Sequence, residues 1–410
     1  MNQSQLKLVG VLAGLLVLLW AMLAHAALPA SGAADLRGVT LLDRTVDVDG
    51  SLQVTGRADI PTVRNRQLAR LAPSFRVRDG DALFLRNVIL TQNGWPPNRA
   101  IHALGGYVEL KRVAVWDGDG LLVERCSGMV WSGGGTVEST YSYTLYLGNN
   151  VADEKERRGG KPWYAWSRVD RDDFVAAGVV VEDCRFQVGR AETSVRVMGA
   201  RGVAFRRCYF GVQPDLAKQP AARHNKQSIQ FRHGTGIMQD CTIGGSIVVG
   251  GLDPSIDDGL HADYARRTPT YLWIKGGTIA GYVEASSNTW LLIDGATVTG
   301  RDPRGIGPTA GVARRDYGAG LSPTVVIVDS EIGDWTLSGV RVLVGPGVTR
   351  RGKPVAPTPG FDPAVVDRIR REATRDVPAW ARPVSIRLPS RAHLFRPDLM
   401  LFPFDWRAVA

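Results

Sequence analysis

Four polar residues hold the same place in four short apolar segments of the chain, namely His102, Arg196, Gln230 and Glu284. In an extended segment the side chains alternate, so these four point outward while their apolar neighbours point inward. An outward ladder of imidazole, guanidinium, amide and carboxylate predicts a ligand-binding face. His102, Gln230 and Glu284 are predicted to contact substrate, and a solvated face without function is the alternative.

Cations and imidazoles cluster around this ladder. A uronate lyase or epimerase needs a cation that neutralises the substrate carboxylate and a base that removes the neighbouring proton. Arg196, Lys226 or Arg232 can supply the cation, and His224, His233 or His261 the base. The candidate catalytic residues are Arg196, Lys226, Arg232, His233 and His261.

Paired carboxylates are a weaker signal. Asp257 and Asp258 are candidate Ca²⁺ ligands together with Asp263, although an Asp-Asp-Gly sequence is also ordinary turn chemistry. A glycoside hydrolase needs two carboxyl groups set apart around the bond, and adjacent residues diverge in an extended chain. Ca²⁺ is therefore the candidate cofactor, and hydrolysis is disfavoured.

Aromatic residues suggest a second point of substrate contact. Trp163 and Trp166 lie in a long polar insertion, residues 149–175, beside Lys161 and Arg168. Exposed indole rings can stack on sugars, so both are predicted to bind substrate. Trp273 and Trp290 lie on successive coils instead, and they are predicted to pack under loops.

The elements that position these residues are short repeats. Residues 179–186, 203–210 and 236–243 each contain an apolar strand, a polar corner, a small residue and a second apolar step. Cys184, Cys208 and Cys241 hold the same place in the three repeats. They are predicted to stack inward as unpaired thiols, with a Cys184–Cys208 disulfide as the alternative. Uneven spacing between repeats indicates outward insertions, here residues 149–175, 213–226 and 253–268, as solenoids tolerate.

The corner pattern, with Asp, Arg or Asn before Cys, Gly or Val, resembles that of the pectate-lyase-like superfamily of right-handed parallel β-helices. The resemblance covers residues 38–345 and implies an all-β, right-handed parallel β-helix solenoid. Members include polysaccharide lyases, hydrolases, epimerases and adhesins, so the fold alone does not specify activity. Their catalytic motifs are not reproduced here: His233-Gly234 follows Arg232 rather than glycine, and Asp253-Pro254 precedes Ser255 rather than histidine. No catalytic set is carried over.

The ends of the chain differ from the repeats. Residues 1–26 combine Lys7, an apolar run and Ala24-His25-Ala26, which predicts a secretory signal peptide, with an uncleaved inner-membrane anchor as the alternative. Residues 27–81 are predicted to form a linker, a first coil and an N-terminal cap with a short helix at 65–71, and residues 82–347 the β-helix. Residues 348–410 are predicted as a Pro/Arg-rich C-terminal appendage, with one short helix at 362–373 and a tail.

Net charge narrows the class of partner. The chain has 50 Lys and Arg against 40 Asp and Glu, a formal charge of +10, which favours a polyanion. Export to the periplasm or medium argues against nucleic acid, and a membrane contact is expected only if the N-terminal segment stays attached. The sequence thus predicts an exported protein that binds or acts on an acidic polysaccharide, as a uronate lyase or epimerase. A non-catalytic envelope or surface scaffold for binding or adhesion is the alternative.

Overall fold

A computed structural model describes residues 28–57, 60–68, 72–92, 99–116, 119–139, 144–148, 176–188, 193–212, 227–250, 269–286, 288–299, 312–315, 322–333 and 340–383. In this part of the chain, short strands stack in parallel as a mostly-β solenoid, with one 23-stranded and one 10-stranded sheet. The strands, numbered in chain order, form three faces.

Face 1 is the first strand of each coil. It consists of β1 (Gly32–Leu36), β4 (Ser51–Gly56), the first halves of β7 (Ala82–Thr91) and β9 (Tyr107–Trp116), β11 (Gly128–Ser132), β14 (Val179–Glu182), β17 (Val203–Arg206), β20 (Thr235–Gln239), β23 (Thr270–Lys275), β26 (Thr289–Asp294), β29 (Thr324–Val328) and β31 (Arg341–Val344).

Face 2 follows face 1 across a sharp corner within the same sheet. It consists of β2 (Val39–Leu42), β5 (Thr62–Asn65), the second halves of β7 and β9, β12 (Thr136–Ser139), β15 (Arg185–Val188), β18 (Tyr209–Val212), β21 (Thr242–Ile243), β24 (Thr278–Ile279), β27 (Thr297–Val298), β30 (Glu331–Ile332), β32 (Thr349–Arg350) and β33 (Lys353–Pro354).

Face 3 is the separate ten-stranded sheet that completes each coil. It consists of β3 (Val46–Asp47), β6 (Pro73–Val77), β8 (Arg99–Leu104), β10 (Asp119–Arg125), β13 (Leu145–Gly148), β16 (Thr193–Met198), β19 (Gln227–Arg232), β22 (Ser246–Val249), β25 (Val283–Ser286) and β28 (Val312–Arg315).

Stacking begins earlier than residue 82, the predicted start of the regular repeat. β1 already pairs in parallel with β4, and β4 with β7. The helix predicted at 65–71 is wrong where the structure describes it, because Asn65 ends strand β5. The Asn65 side-chain amide donates to the carbonyl of Ala72 at 3.0 Å.

The corner between faces 1 and 2 explains the polar residue in each repeat. Non-glycine residues adopt the left-handed conformation there, including Asp183 (φ 55°), Arg207 (φ 50°) and Asp240 (φ 52°). Asp and Asn tolerate this conformation, and glycine replaces them at Gly276 and Gly295. The chain therefore turns sharply, and the next residue points into the core.

That inward residue is cysteine in three coils. Cys184, Cys208 and Cys241 are buried and unbridged, as predicted, and Cys126 is also a free thiol. Burial raises the pKa of Cys184 and Cys241 well above the ordinary thiol value, and that of Cys126 to about 11. Since the thiolate is the nucleophile, Cys126, Cys184 and Cys241 act as small core residues rather than reactive groups.

The C-terminal segment closes the last coil and then turns back. Strand β33 pairs antiparallel with β32, and the Thr358 N–H donates to the carbonyl of Val344 at 2.8 Å. These bonds occupy backbone groups that an open edge would expose. Helix α1 (Ala364–Thr374) begins where the Ala364 N–H donates to the Asp362 carboxylate at 2.9 Å.

Helix α1 lies across the outside of face 1, where it contacts β20, β23 and β26. Its apolar side, with Val366, Ile369 and Ala373, is buried in a cluster with outward residues of face 1. Within the parts of the chain that the structure describes, no helix has the length and apolar character needed to cross a bilayer.

Two arginines of α1 hold Trp273 and Trp290, which therefore pack under the helix and not under loops. The Arg370 guanidinium lies 5.3 Å from the Trp273 ring centroid, and Arg368 lies 4.5 Å from that of Trp290. Asp294 accepts from both Arg370, at 2.9 Å, and the Trp273 indole, at 3.0 Å. The sequence pattern missed this contact because it joins residues far apart in the chain.

Asp329 gives this contact region a pH dependence. Burial, and secondarily the charge of Asp294, raise the pKa of Asp329, while Arg370 acts in the opposite direction. Because folding favours the protonated carboxyl, Asp329 contributes stability below its unfolded pKa, and this contribution is lost as pH rises through the folded pKa.

Replacing Asp329 with asparagine is expected to remove that dependence while keeping a residue that accepts the left-handed corner. Relative to the wild type, Asp329→Asn should gain free energy of unfolding as pH rises from about 3 to about 7. Urea titrations of both proteins across this range measure the difference. A difference that stays constant with pH would contradict the prediction.

Candidate functional site

The strand register of face 3 brings the four ladder residues into one column. Arg196 pairs with Gln230, Gln230 with Val248 and Val248 with Glu284. On the other side, Arg196 pairs with Tyr146, and Leu122 lies between Tyr146 and His102. We call this set the face 3 column; in chain order it contains Asp47, Arg76, His102, Leu122, Tyr146, Arg196, Gln230, Val248, Glu284 and Ala313.

Residues of the column point away from the core. On each side of Arg196 and Gln230 the neighbours are core residues, for example Val195 and Val197, and Ile229 and Phe231. The alternation follows from the two-residue period of a strand. The column is therefore an outer surface of the solenoid.

This outer surface is nevertheless shielded from solvent. The relative exposures of His102, Arg196, Gln230 and Glu284 are 8%, 9%, 6% and 6%. Charged groups are seldom buried to this extent unless they are paired, and each of these four has an interaction within the chain. These four side chains are therefore not freely solvated.

Arg232 and His233 extend the column toward face 1. Arg232 pairs in register with Met198, two residues beyond Arg196, and is 3% exposed. His233 is also 3% exposed, and its backbone N–H donates to the Thr270 hydroxyl at 2.9 Å. The two candidate catalytic residues thus lie beside the column, at the corner that leads to β20.

His233 has an unusual backbone conformation. Its φ is 50°, whereas the matching position in the preceding coil is Gly199. A non-glycine residue in this region can cost about 1–3 kcal/mol, and such residues are enriched at functional sites. Since the preceding coil has glycine at this place, the fold does not require the imidazole of His233.

Replacing His233 with glycine separates a catalytic role of its side chain from a structural one. His233→Gly is expected to change the free energy of unfolding by no more than about 1 kcal/mol, because relief of strain offsets lost packing. If His233 is the base, turnover of a uronate substrate falls by about 10²–10⁴-fold. Urea titration and a turnover assay measure the two effects.

Asp240→Gly is the matched control, since Asp240 has a similar φ of 52° at the corner between faces 1 and 2. It should leave turnover unchanged. Equal turnover in His233→Gly and the wild type would remove His233 from the candidate bases.

Tyr146 is a member of the site that the sequence pattern did not single out. Its ring lies under Arg196, with 5.5 Å from the guanidinium carbon to the ring centroid, and its hydroxyl donates to the Met198 sulfur at 3.6 Å. The sequence Leu145-Tyr146-Leu147 could have indicated this position, because a tyrosine between two core leucines points outward from the strand.

The remaining candidates lie outside the described residues: Lys226, His261, Trp163, Trp166, Asp257 and Asp258. Within the described ranges no group of three His, Cys, Asp or Glu side chains is placed to hold a metal ion. The predicted Ca²⁺ site, which involves Asp257 and Asp258, stays a prediction.

Carboxylates of the column are widely separated. Among the described residues of the face 3 column, the acidic members are Asp47 on β3 and Glu284 on β25. Eight strand spacings of about 4.8 Å separate them, roughly 38 Å in total. Hydrolysis of a glycosidic bond needs carboxyl groups about 5–9.5 Å apart, so these two do not form such a pair.

Comparison with known proteins found no match to the chain among family models, curated proteins or solved structures.

Proposed function

We propose that this protein is exported and binds or acts on an acidic polysaccharide along the face 3 column. The supporting observation is that two cations, Arg196 and Arg232, lie on neighbouring strands of one shielded outer face. Arg196 pairs in register with Gln230, and Arg232 lies two residues beyond Gln230 on the same strand. We further propose a right-handed solenoid of the pectate-lyase-like kind, because parallel crossover connections are nearly always right-handed.

Uronates fit this arrangement because each sugar carries one carboxylate. A guanidinium can hold a carboxylate with two parallel hydrogen bonds, which fixes the orientation of the sugar. In a shielded site this pairing is stronger than at an exposed surface, since less water screens the charges. Arg196 and Arg232 are the proposed carboxylate-binding residues, while His102, Gln230 and Glu284 are the proposed contacts to sugar hydroxyls.

Proton abstraction is the proposed chemistry. Neutralising the carboxylate makes the neighbouring C–H more acidic, and a base within hydrogen-bonding distance can then remove the proton. His233 is the proposed base from the described residues. From the sequence, His261 stays a candidate base and Lys226 a candidate cation. If the bond from carbon to the glycosidic oxygen then breaks and that oxygen takes up a proton, the enzyme is a lyase. If an acid on the opposite face instead delivers a proton to the same carbon, the enzyme is an epimerase.

A non-catalytic role is the second candidate. Its support is the low exposure of the column, because a face that is 6–9% exposed at His102, Arg196, Gln230 and Glu284 leaves little room for turnover. In that case the solenoid is a binding or adhesion scaffold of the cell envelope or surface. If segment 1–26 is not cleaved, this scaffold is anchored in the inner membrane.

Ultraviolet absorbance of the unsaturated uronate product separates these roles. The purified protein is mixed with polygalacturonate, alginate and other polyuronates, with Ca²⁺ and with a chelator. A rise in absorbance establishes elimination, and its loss with chelator assigns a metal, with Asp257 and Asp258 as the first ligands to replace. No rise, together with measurable binding, excludes the lyase for that panel and favours the epimerase or scaffold.

A further inference from the structure

Tyr146 occupies a position in the column where the fold does not need an aromatic ring. The two flanking residues, Leu145 and Leu147, belong to the core, whereas Tyr146 lies on the outer side and is 4% exposed. In the preceding coil the same register position is Leu122, which is 2% exposed. The solenoid thus accepts a leucine at this place in the column.

What the tyrosine adds over leucine is two contacts toward β16. The ring faces the Arg196 guanidinium, whose carbon lies 5.5 Å from the ring centroid. The hydroxyl donates to the Met198 sulfur at 3.6 Å, two residues further along the same strand. The ring is therefore held at its far end while its face meets the cation.

A cation over an aromatic face is attracted by the ring quadrupole, and the attraction grows when water is excluded. Arginine also loses rotamer entropy when it is fixed. A ring that fixes the guanidinium before the ligand arrives reduces the entropy that binding must otherwise overcome.

We propose that Tyr146 is a positioning residue that holds the Arg196 guanidinium ready for an anionic group of the ligand. This inference rests on the proposed function and adds a residue to its binding site. Tyr146 acts through Arg196 and need not contact the ligand itself.

A double-mutant cycle tests the proposal. Binding of polygalacturonate and of alginate is measured by titration calorimetry for the wild type, Tyr146→Leu, Tyr146→Phe, Arg196→Ala and the double variant Tyr146→Leu/Arg196→Ala. Tyr146→Leu should weaken binding about tenfold, because a desolvated cation–π contact is lost. Tyr146→Phe keeps the ring and should stay within about twofold of the wild type.

The decisive comparison is made without the arginine. If Tyr146 acts through Arg196, adding Tyr146→Leu to Arg196→Ala should change the affinity by less than about twofold. If Tyr146 only supports the fold, Tyr146→Leu weakens binding equally with and without Arg196, or Tyr146→Phe binds as weakly as Tyr146→Leu. Thermal unfolding of all variants confirms that each is folded.

The outcomes separate the two proposals. If the wild type binds neither polyuronate, the proposed function fails and the role of Tyr146 fails with it. If the wild type binds and Tyr146→Leu binds equally well, only the role of Tyr146 is overturned. The role of Tyr146 is also overturned if Tyr146→Leu and Arg196→Ala weaken binding additively.

Discussion

Replacing Arg196 with alanine is expected to weaken polyuronate binding by about 100-fold or more and to abolish turnover, with the fold intact. Removing one partner of a shielded, hydrogen-bonded charge pair typically costs about 2–5 kcal/mol, because the other charge is left buried and unpaired. Arg196 is 9% exposed on the outer side of β16, so its loss leaves the core residues Val195 and Val197 in place.

Arg207→Ala is the matched control for this experiment. Arg207 lies at the corner between faces 1 and 2 and pairs with both oxygens of Asp183, at 2.7 and 2.9 Å. Its loss should lower stability slightly and leave binding unchanged. If Arg196→Ala binds as tightly as the wild type, or if Arg207→Ala weakens binding equally, the face 3 column is not the site.

Replacing Phe186 with alanine is expected to destabilise the solenoid by about 4 kcal/mol. Phe186 is fully buried between Trp131 of the preceding coil and Phe210 of the next, with ring centroids 5.6 and 5.3 Å away. The substitution removes a large side chain and its ring contacts with the coils before and after it. Because each coil is held by its neighbours, the coils cannot move together to fill the cavity. The free energy of unfolding in urea measures the loss.

Phe84→Ala provides the comparison on the outer side of face 1. Phe84 is partly exposed and pairs with Tyr107, with 5.8 Å between ring centroids. Its loss should cost only about 1 kcal/mol, since little buried surface is exposed. Similar losses in both variants would mean that Phe186 is not in the interior of a stacked core.

The stacked fold could be predicted from local chemistry. Each repeat contains its own corner, in which Asp183, Arg207 or Asp240 takes a left-handed conformation and a cysteine then points inward. Such a corner depends on residues within a few positions of one another, so its pattern is readable in the sequence. The alignment of Arg196 with Gln230 followed from the same period.

Long-range contacts could not be predicted in this way. Trp273 contacts Arg370 of a helix that joins the solenoid only after the last coil, and no local pattern links the two. The shielding of the column and the ring of Tyr146 under Arg196 likewise depend on the register between separate coils. The N-terminal coils were underestimated because Thr62–Asn65 is too short to show a clear period.

Titration calorimetry of the purified protein with polygalacturonate and alginate, at two salt concentrations, tests the central claim most directly. The account predicts saturable binding that weakens at high salt, because the ligand carboxylates pair with arginines, and no binding to neutral dextran. Binding to dextran as tight as to the polyuronates, or no binding to either polyuronate at low salt, would contradict it.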